Sequence, residues 1–283
     1  MKNLLISLLF IASTLFDADA QTGAVRYESL EEAKTNPESV QWLTLRDQGL
    51  NKFPVEILEL SNLKYLDLSE NNISVLPESI DRLAQLFYLD LSGNRITKLP
   101  SEFSNIKNLR HLYLGYNNST SLKQDLQVLG ELPLLTVLDL SGGKFKTLPP
   151  AIGELKSLEF LELSENKIVQ LPNEFSLLEN LQILYIENDE HFDFEKNISV
   201  LSRLPNLREL HLEGDRFSQI PSEINSLKSL EYLYLGNNQI EELPDEIFEM
   251  KRIKEIDVSN NQMPHLLLDI YRDHLAPTIR ITF

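Results

Sequence analysis

The sequence contains no cysteine and has far fewer basic than acidic residues. Lys and Arg number 26 against 43 Asp and Glu, which gives a formal net charge of −17. The absence of cysteine excludes a disulfide framework, a thiolate metal site and a cysteine nucleophile. The excess of acid argues against a nucleic-acid surface, because Lys and Arg contacts to phosphate dominate that affinity. The hydrophobic fraction of 42% is nevertheless that of a folded protein.

A secretion signal is predicted at the N-terminus. Lys2 precedes the mostly apolar run 4–16, and Ala18 and Ala20 are the small residues that a signal peptidase reads. As a helix this run would rise only about 20 Å, less than the roughly 30 Å of a bilayer core, so a membrane span is disfavoured. We therefore expect residues 1–20 to be cleaved after Ala20 and the protein to be secreted, periplasmic or displayed at the cell surface. The alternative is a retained N-terminal helix that is buried in the fold.

An internal repeat of 23 residues occupies most of the remaining chain. Apolar residues recur at the first, fourth and sixth positions of each unit, beginning with Val40, Leu43 and Leu45. Successive units start 23, 23, 23, 26, 23, 23, 26, 23 and 23 residues apart, which makes ten units. One such unit cannot bury its own apolar residues, so it must stack on its neighbours. The repeat therefore predicts a solenoid.

Two further features recur within the units. Seven units carry proline after an apolar residue where the chain turns, and six carry asparagine at the ninth position. The prolines cost no strand hydrogen bond at a turn, so we interpret them as structural. They are Pro54, Pro77, Pro100, Pro149, Pro172, Pro221 and Pro244. The asparagines are Asn71, Asn94, Asn117, Asn166, Asn238 and Asn261, and the ninth residue of the other units is Gln48, Gly143, Asp189 or Asp215.

This pattern resembles the leucine-rich repeat family, in the 23-residue form that bacterial and Ras-group proteins share. The resemblance implies an α/β solenoid shaped as a horseshoe, with a parallel concave sheet of about eleven strands and a convex face of turns and short helices. It also implies that the ninth-position amides bond loop backbone between neighbouring coils. Where that residue is not asparagine, we expect the ladder to be interrupted or carried by another acceptor. Extracellular members from animals and plants usually have cysteine-paired caps, so the resemblance favours a bacterial exported protein.

The chain divides into four predicted segments. They are the signal peptide (1–20), an N-terminal helical cap (21–39), the ten-repeat solenoid (40–275) and a closing C-terminal strand (276–283). In the cap, Ser29 and Glu32 match a capping box before a short helix that Pro37 ends. These polar caps are expected to cover the ends of the stack.

Two units of 26 residues depart from the pattern in the same way. Residues 117–134 and 189–206 lack the Leu-Pro turn and carry three extra residues each. In the first of them, Leu122, Leu126 and Leu129 have the spacing of one helix face. We therefore predict a true α-helix on the outer face of both units.

The functional residues are expected on the concave face. The third, fifth, seventh and eighth positions of each unit are predicted to point from the sheet into solvent, where aromatic residues often mark a partner site. The strand motif Leu-Asp-Leu-Ser is common in the family, so departures from it are more informative. The candidate partner-binding residues are Tyr113, Tyr116, Phe160, Glu162, Tyr185, Glu187, His211, Glu213, Tyr232 and Tyr234. Glu187 and Glu213 are predicted on adjacent strands, where a basic partner or a cation would relieve their repulsion. The alternative for the first three strands is that neighbouring aromatics only stack and stabilise the sheet.

Catalytic and metal-binding patterns are weak. The histidines show no metal-ligand spacing, and the sequence has no glycine-rich phosphate loop or nucleophile elbow. Acidic residues alternate from Asp189 to Glu195 as in a calcium loop, but without its glycine and full ligand set, so a solvated loop is favoured. We therefore expect no enzymatic activity, no catalytic residues, no metal and no cofactor.

Three functions remain open. The first, which we favour, is an exported module that captures a protein or peptide, preferably a basic one, on its concave face. The second is a carbohydrate-binding or adhesion protein that stacks sugar rings on Tyr113, Tyr185 and Tyr234. The third is a cytoplasmic signalling scaffold similar to Ras-group members, which requires residues 1–20 to stay attached. Neither a nucleic-acid partner nor a membrane span is expected.

Overall fold

The computed structural model of the protein describes residues 25–274 and 279–283. Within them, twelve strands form one parallel sheet in which each strand pairs with the next along the chain. The strands β1 to β12 are Arg26–Tyr27, Trp42–Thr44, Tyr65–Asp67, Tyr88–Asp90, His111–Tyr113, Val137–Asp139, Phe160–Glu162, Ile183–Tyr185, Glu209–His211, Tyr232–Tyr234, Glu255–Asp257 and Arg280–Thr282. This order confirms the predicted solenoid. The predicted signal peptide, 1–20, and the start of the predicted closing segment, 276–278, lie outside the described residues.

The repeat length sets the register of the sheet. Leu43, Leu66 and Leu89 pair in successive strands, and all three are fully buried between the coils. Residues on either side of them in each strand point to the opposite, concave face. The sheet has one strand more than the eleven that we expected, because Arg26–Tyr27 in the N-terminal segment pairs with β2. At the other end, Arg280–Thr282 pairs with β11.

Short helices cover the convex side. Each of the seven turn prolines directly precedes a 3-10 helix of five residues, because its fixed φ suits the bend from the coil interior to the outer face. These 3-10 helices are Val55–Glu59, Glu78–Arg82, Ser101–Asn105, Pro150–Glu154, Asn173–Leu177, Ser222–Ser226 and Asp245–Glu249, and another, Pro37–Ser39, precedes β2. None of the helices in the described part of the chain is long and apolar enough to cross a membrane.

Four α-helices lie within residues 25–274 and 279–283. They are α1 (Leu30–Ala33), α2 (Leu122–Gly130), α3 (Phe194–Leu201) and α4 (His265–His274). The two middle helices lie in the units of 26 residues and confirm the helices predicted there from apolar spacing. The predicted capping box is wrong, because the side chain of Ser29 makes no bond to the backbone of α1. This helix is a single turn, so Glu32, which should reach back to its start, already lies beside its end.

Asparagine side chains join neighbouring coils, as the family resemblance implied. In one of them, Asn94 Oδ1 accepts from Ile73 N–H at 2.9 Å while Nδ2 donates to leucine carbonyl groups of two adjacent coils. Asp189 Oδ2 accepts in the same way from Ile168 N–H at 2.7 Å, and Asp215 Oδ1 accepts from Asp189 N–H at 2.7 Å. Asp189 and Asp215 therefore accept backbone N–H hydrogen bonds from a neighbouring coil, as the asparagine side chains do in six other coils, but a carboxylate cannot donate to the carbonyl groups.

Candidate functional site

Aromatic rings on the concave face stack along the sheet. The ring centroids of Trp42 and Tyr65 are 3.6 Å apart and those of Tyr65 and Tyr88 are 4.1 Å apart, with nearly parallel planes. Neighbouring strands lie about 4.8 Å apart, so rings at equivalent positions meet face to face. For the first three repeat strands, the structure thus supports the alternative in which aromatics stabilise the sheet by stacking.

A second apolar cluster, separate from the core, lies in the middle of the concave face. It consists of Tyr113, Val137, Phe160 and Tyr185, and we call it the central cluster. Their exposed fractions are only 6%, 4%, 2% and 1%. The central cluster joins strands β5 to β8 on the concave side, so these rings contribute to stability and are not free contact surface.

The expectation that the candidate residues face solvent is wrong for half of them. The buried ones are Tyr113, Phe160, Glu162, Tyr185 and His211. At the spacing of a parallel sheet, large side chains on neighbouring strands cover one another, which the alternation of a single strand does not reveal. The partly exposed ones are Glu187, Glu213, Tyr232 and Tyr234, and Tyr116 is 50% exposed.

Carboxylates at the fifth position of four strands form a band that we call the acidic stripe. Its members are the partly exposed Asp67 and Asp90 and the buried Asp139 and Glu162, and Tyr113 on β5 lies between the two pairs. Each accepts a hydrogen bond from the backbone N–H two residues further on, at 2.7–2.9 Å. Burial and the charge of Asp67 raise the pKa of Asp90 to about 7, and burial and the charge of Asp139 raise that of Glu162 to about 8. A proton or a cation therefore stabilises the acidic stripe.

Beyond the central cluster, an imidazole ring lies between two phenol rings. His211 stacks on Tyr185 with centroids 3.7 Å apart and on Tyr234 with centroids 4.3 Å apart, at interplanar angles of 11° and 16°. The three residues occupy the same position on β8, β9 and β10, which pair in register. The two phenol rings hold the plane of the imidazole.

Three glutamates surround that imidazole, and together with it they form what we call the His211 cluster. Nε2 of His211 lies 2.7 Å from Glu209 Oε1, and Nδ1 lies 3.6 Å from Glu187 Oε1 and 3.4 Å from Glu213 Oε2. Burial lowers the pKa of His211, but the carboxylates of Glu209 and Glu213 outweigh that effect and raise it to about 9. Burial and the charge of Glu213 raise the pKa of Glu187 to about 7. The carboxylates of the His211 cluster therefore favour a positive charge among them, either the protonated imidazole or a bound cation that replaces its proton.

Tyr116 differs from the other candidates in its exposure and its backbone. Its φ is 55°, in the left-handed region, which costs a residue with a Cβ about 1–2 kcal/mol. Its ring lies against Gly142, where an added Cβ would stand 2.4 Å from Tyr116 Cδ1. The same left-handed φ recurs at the eighth position of other units, as at Glu70 and Glu165, so it belongs to the coil, whereas the half-exposed ring makes Tyr116 available for binding.

The acidic loop from Asp189 to Glu195 has structural roles. Asp189 is buried in the ladder between coils. Asp193 caps α3, because its Oδ1 accepts from Lys196 N–H at 3.1 Å, and it also forms an ion pair with the Lys196 ammonium group. The predicted solvated loop is therefore wrong for Asp189, which is buried because its carboxylate joins two coils.

Comparison with protein families accounts for the repeat. The family model described as leucine rich repeat matches residues 38–96, 133–190 and 205–263, and a second, described as leucine rich repeats in two copies, matches 84–127. Together they cover more than half of the chain. The chain belongs to the leucine-rich repeat family. A comparison with curated proteins gave no match.

Three solved structures resemble the chain in fold. Toll, from the Toll–Spatzle complex of Drosophila, is 18% identical with a TM-score of 0.70 over 91% of this chain and 34% of its own. TLR13, from a complex with ssRNA13, is 23% identical with a TM-score of 0.67 over 87% of this chain and 44% of its own. An internalin from Listeria monocytogenes is 22% identical with a TM-score of 0.50 over 88% of this chain and 84% of its own. At these identities the similarity shows the fold alone.

Sequence reasoning missed one residue of the site in this leucine-rich repeat protein. Glu209 holds Nε2 of His211, yet it was not among the candidates. A signal for it exists, since Glu209, His211 and Glu213 alternate along one strand and its extension, which places all three on the same face. The approach of Glu187 follows from the pairing of β8 with β9, which the repeat register supplies.

Proposed function

We propose that the chain is an exported, non-enzymatic leucine-rich repeat module that captures a basic protein or peptide on its concave face. The acidic stripe carries this proposal. The raised pKa values of Asp90, Asp139 and Glu162 mean that ionising these groups in the folded protein costs free energy. A cationic side chain beside the partly exposed Asp67 and Asp90 would offset that cost, speed the encounter and make binding sensitive to salt.

Aromatic contact surface accompanies the acidic stripe on the same sheet. Tyr116 is half exposed at its edge, and Tyr232 and Tyr234 are partly exposed on β10. Tyrosine suits such a surface, because it offers a large apolar area together with a polar hydroxyl group. Charge would therefore orient a basic segment while these rings supply contact area.

Export is supported by the N-terminal pattern of residues 1–20. We expect the exported protein to begin at Gln21, and N-terminal sequencing of protein secreted by a bacterial host tests this. Recovery of a chain that still begins at Met1 would instead favour the cytoplasmic scaffold.

The absence of enzymatic activity is supported by the family and by the shape of the site. Leucine-rich repeat proteins are typically binding modules, and tuned catalytic carboxylates usually require a closed, water-poor pocket. The acidic stripe instead runs across an open sheet.

The carbohydrate alternative has less support. Tyr113 is buried in the central cluster, and His211 covers one face of each of the rings of Tyr185 and Tyr234. Sugar rings would need those faces to be free. The aromatic side chains that remain partly exposed are better placed for a peptide that lies along the sheet.

A panel of probes with matched variants tests the proposal. The mature protein is titrated with a lysine-rich peptide, an acidic peptide of equal length, an oligosaccharide and a single-stranded oligonucleotide, at two salt concentrations. One variant neutralises three members of the stripe (Asp90→Asn, Asp139→Asn, Glu162→Gln). A control neutralises three exposed acids of the convex 3-10 helices (Glu56→Gln, Glu223→Gln, Asp245→Asn).

Both variants remove three carboxyl groups and change the formal net charge by the same amount, so comparison at a pH above the raised pKa values separates a local effect from a general one. We expect only the basic peptide to bind, with an affinity that falls at least tenfold in the concave variant and little in the convex control. An equal loss in both variants would show attraction to net charge alone. Tighter binding of the oligonucleotide or the oligosaccharide would replace the proposed partner class.

A further inference from the structure

Three atoms suited to bind a metal converge beyond the carboxyl ends of β8 and β9. Nδ1 of His211 and one carboxylate oxygen each of Glu187 and Glu213 lie within 4.8 Å of one another. The distances from Nδ1 are 3.6 Å to Glu187 Oε1 and 3.4 Å to Glu213 Oε2. Ligands bound tetrahedrally to zinc at about 2.0–2.2 Å lie about 3.3–3.6 Å apart. The two distances therefore match the edges of such a site.

Two of these atoms are buried and lie 3.4 Å apart without forming a hydrogen bond. His211 is only 6% exposed, and neither its Nδ1 nor Oε2 of Glu213 makes a hydrogen bond. Buried polar atoms are nearly always satisfied, because leaving one unpaired costs free energy. A cation between Nδ1 and the two carboxylates would satisfy both atoms at once.

The surroundings of His211 position Nδ1 as a ligand. Glu209 Oε1 lies 2.7 Å from Nε2 and favours a proton on that nitrogen, so a metal ion that displaces the proton of Nδ1 would meet a lone pair directed at Glu187 and Glu213. Metal-binding histidines almost always donate their other N–H group to such a partner. The stacked phenol rings on either side of the imidazole keep its plane fixed.

We propose that Glu187, His211 and Glu213 bind a divalent transition-metal ion of the zinc type. Two carboxylates and one imidazole provide two negative charges and a nitrogen donor, which suits zinc better than calcium or magnesium, whose ligands are oxygens. The side chains of Glu187 and Glu213 are 14% and 15% exposed, so the ion has access from the concave face. Three protein ligands leave a fourth position open to water or to a side chain of the partner.

Titration of the full mature chain with Zn²⁺, and separately with Ca²⁺, tests the site without any peptide. We expect one equivalent of Zn²⁺ to bind by calorimetry and Ca²⁺ to bind at least tenfold more weakly. Glu187→Gln and Glu213→Gln should each weaken Zn²⁺ binding at least tenfold. These substitutions keep the side-chain shape and remove one charge from a like-charged pair, so we expect both variants to fold, which circular dichroism checks.

His111→Asn is the matched control. His111 is equally buried on β5, with an Nδ1 that makes no hydrogen bond, but burial and the charge of Arg110 lower its pKa to about 4 instead of raising it. Zinc affinity should be unchanged in this variant. Absence of a stoichiometric Zn²⁺ complex, or affinity that survives both Gln substitutions, would overturn the proposal. Because no peptide is present, that failure would not bear on capture by the acidic stripe.

Discussion

Asp90→Asn is expected to stabilise the protein at neutral and alkaline pH. Asp90 lies beside Asp67 in the sheet, and burial together with the charge of that neighbour raises its pKa to about 7. Its Oδ1 accepts from both the N–H and the hydroxyl group of Ser92, at 2.9 and 2.6 Å. The amide oxygen of Asn can accept the same bonds, so the substitution removes the charge and keeps the contacts.

The size of the effect follows from the pKa difference. The rise in the pKa of Asp90 from 3.8 to about 7 lowers the free energy of unfolding of the ionised protein by at most about 4 kcal/mol, at 1.36 kcal/mol per pKa unit. Because Asp90 is partly exposed, solvent screening reduces this, and we expect a gain of about 1–3 kcal/mol at pH 8. The folded-state pKa is the higher one, so the wild type loses stability as the pH rises from about 4 to about 7. Below pH 4 the two proteins should be equally stable.

Urea unfolding at pH 4 and pH 8 measures the gain, with Asp257→Asn as the control. Asp257 makes the same bond to the N–H of Ser259, at 2.8 Å, but its neighbours across the sheet are Tyr234 and Thr282. We expect the control to change stability by less than about 0.5 kcal/mol at either pH. A gain for Asp90→Asn that is equal at both pH values, or a loss at pH 8, would refute the electrostatic reasoning.

Three further predictions concern the coils. Leu161→Ala should cost about 2–5 kcal/mol in urea unfolding, because Leu161 is fully buried between coils, and a cost under about 1 kcal/mol would contradict the register. Asn94→Ala removes four hydrogen bonds to backbone groups and should lower the free energy of unfolding by about 2–4 kcal/mol. The control Asn62→Ala loses one exposed hydrogen bond and should lower it by less than about 1 kcal/mol. Tyr116→Gly relieves the positive φ, so it should raise the free energy of unfolding by about 0.5–1 kcal/mol and with it the thermal midpoint. The same variant should bind the lysine-rich peptide more weakly, and an unchanged affinity would exclude Tyr116 from the site.

Much of the fold follows from the sequence because the repeat is one-dimensional. Counting from Val40 sets which residue pairs with which across the sheet, and the pairing of Leu43 with Leu66 agrees with that count. The helices in the two units of 26 residues could also be predicted, because each unit has three extra residues and apolar residues at helical spacing. The strand at Arg26–Tyr27 carries no repeat signature, and so the sequence does not reveal it.

The candidate site was less predictable, because its exposure depends on contacts between strands. Alternation along β8 correctly places Tyr185 on the concave face, yet the ring is 1% exposed because Phe160 and His211 pack against it from the adjacent strands. Glu162 is completely buried for a similar reason, beside Asp139. Side-chain volume on neighbouring strands, and not the position within one strand, decides which concave residues meet solvent.

Photo-crosslinking is the most direct test of the binding surface. A lysine-rich peptide with one photoreactive group is bound to the mature protein, irradiated and mapped by mass spectrometry. We expect the crosslinks to fall on the concave side, at Tyr116, Tyr232 and Tyr234 and along the acidic stripe, and to disappear in the variant that neutralises the stripe. Crosslinks concentrated on the convex 3-10 helices, for example at the exposed Leu177, would contradict capture on the concave face.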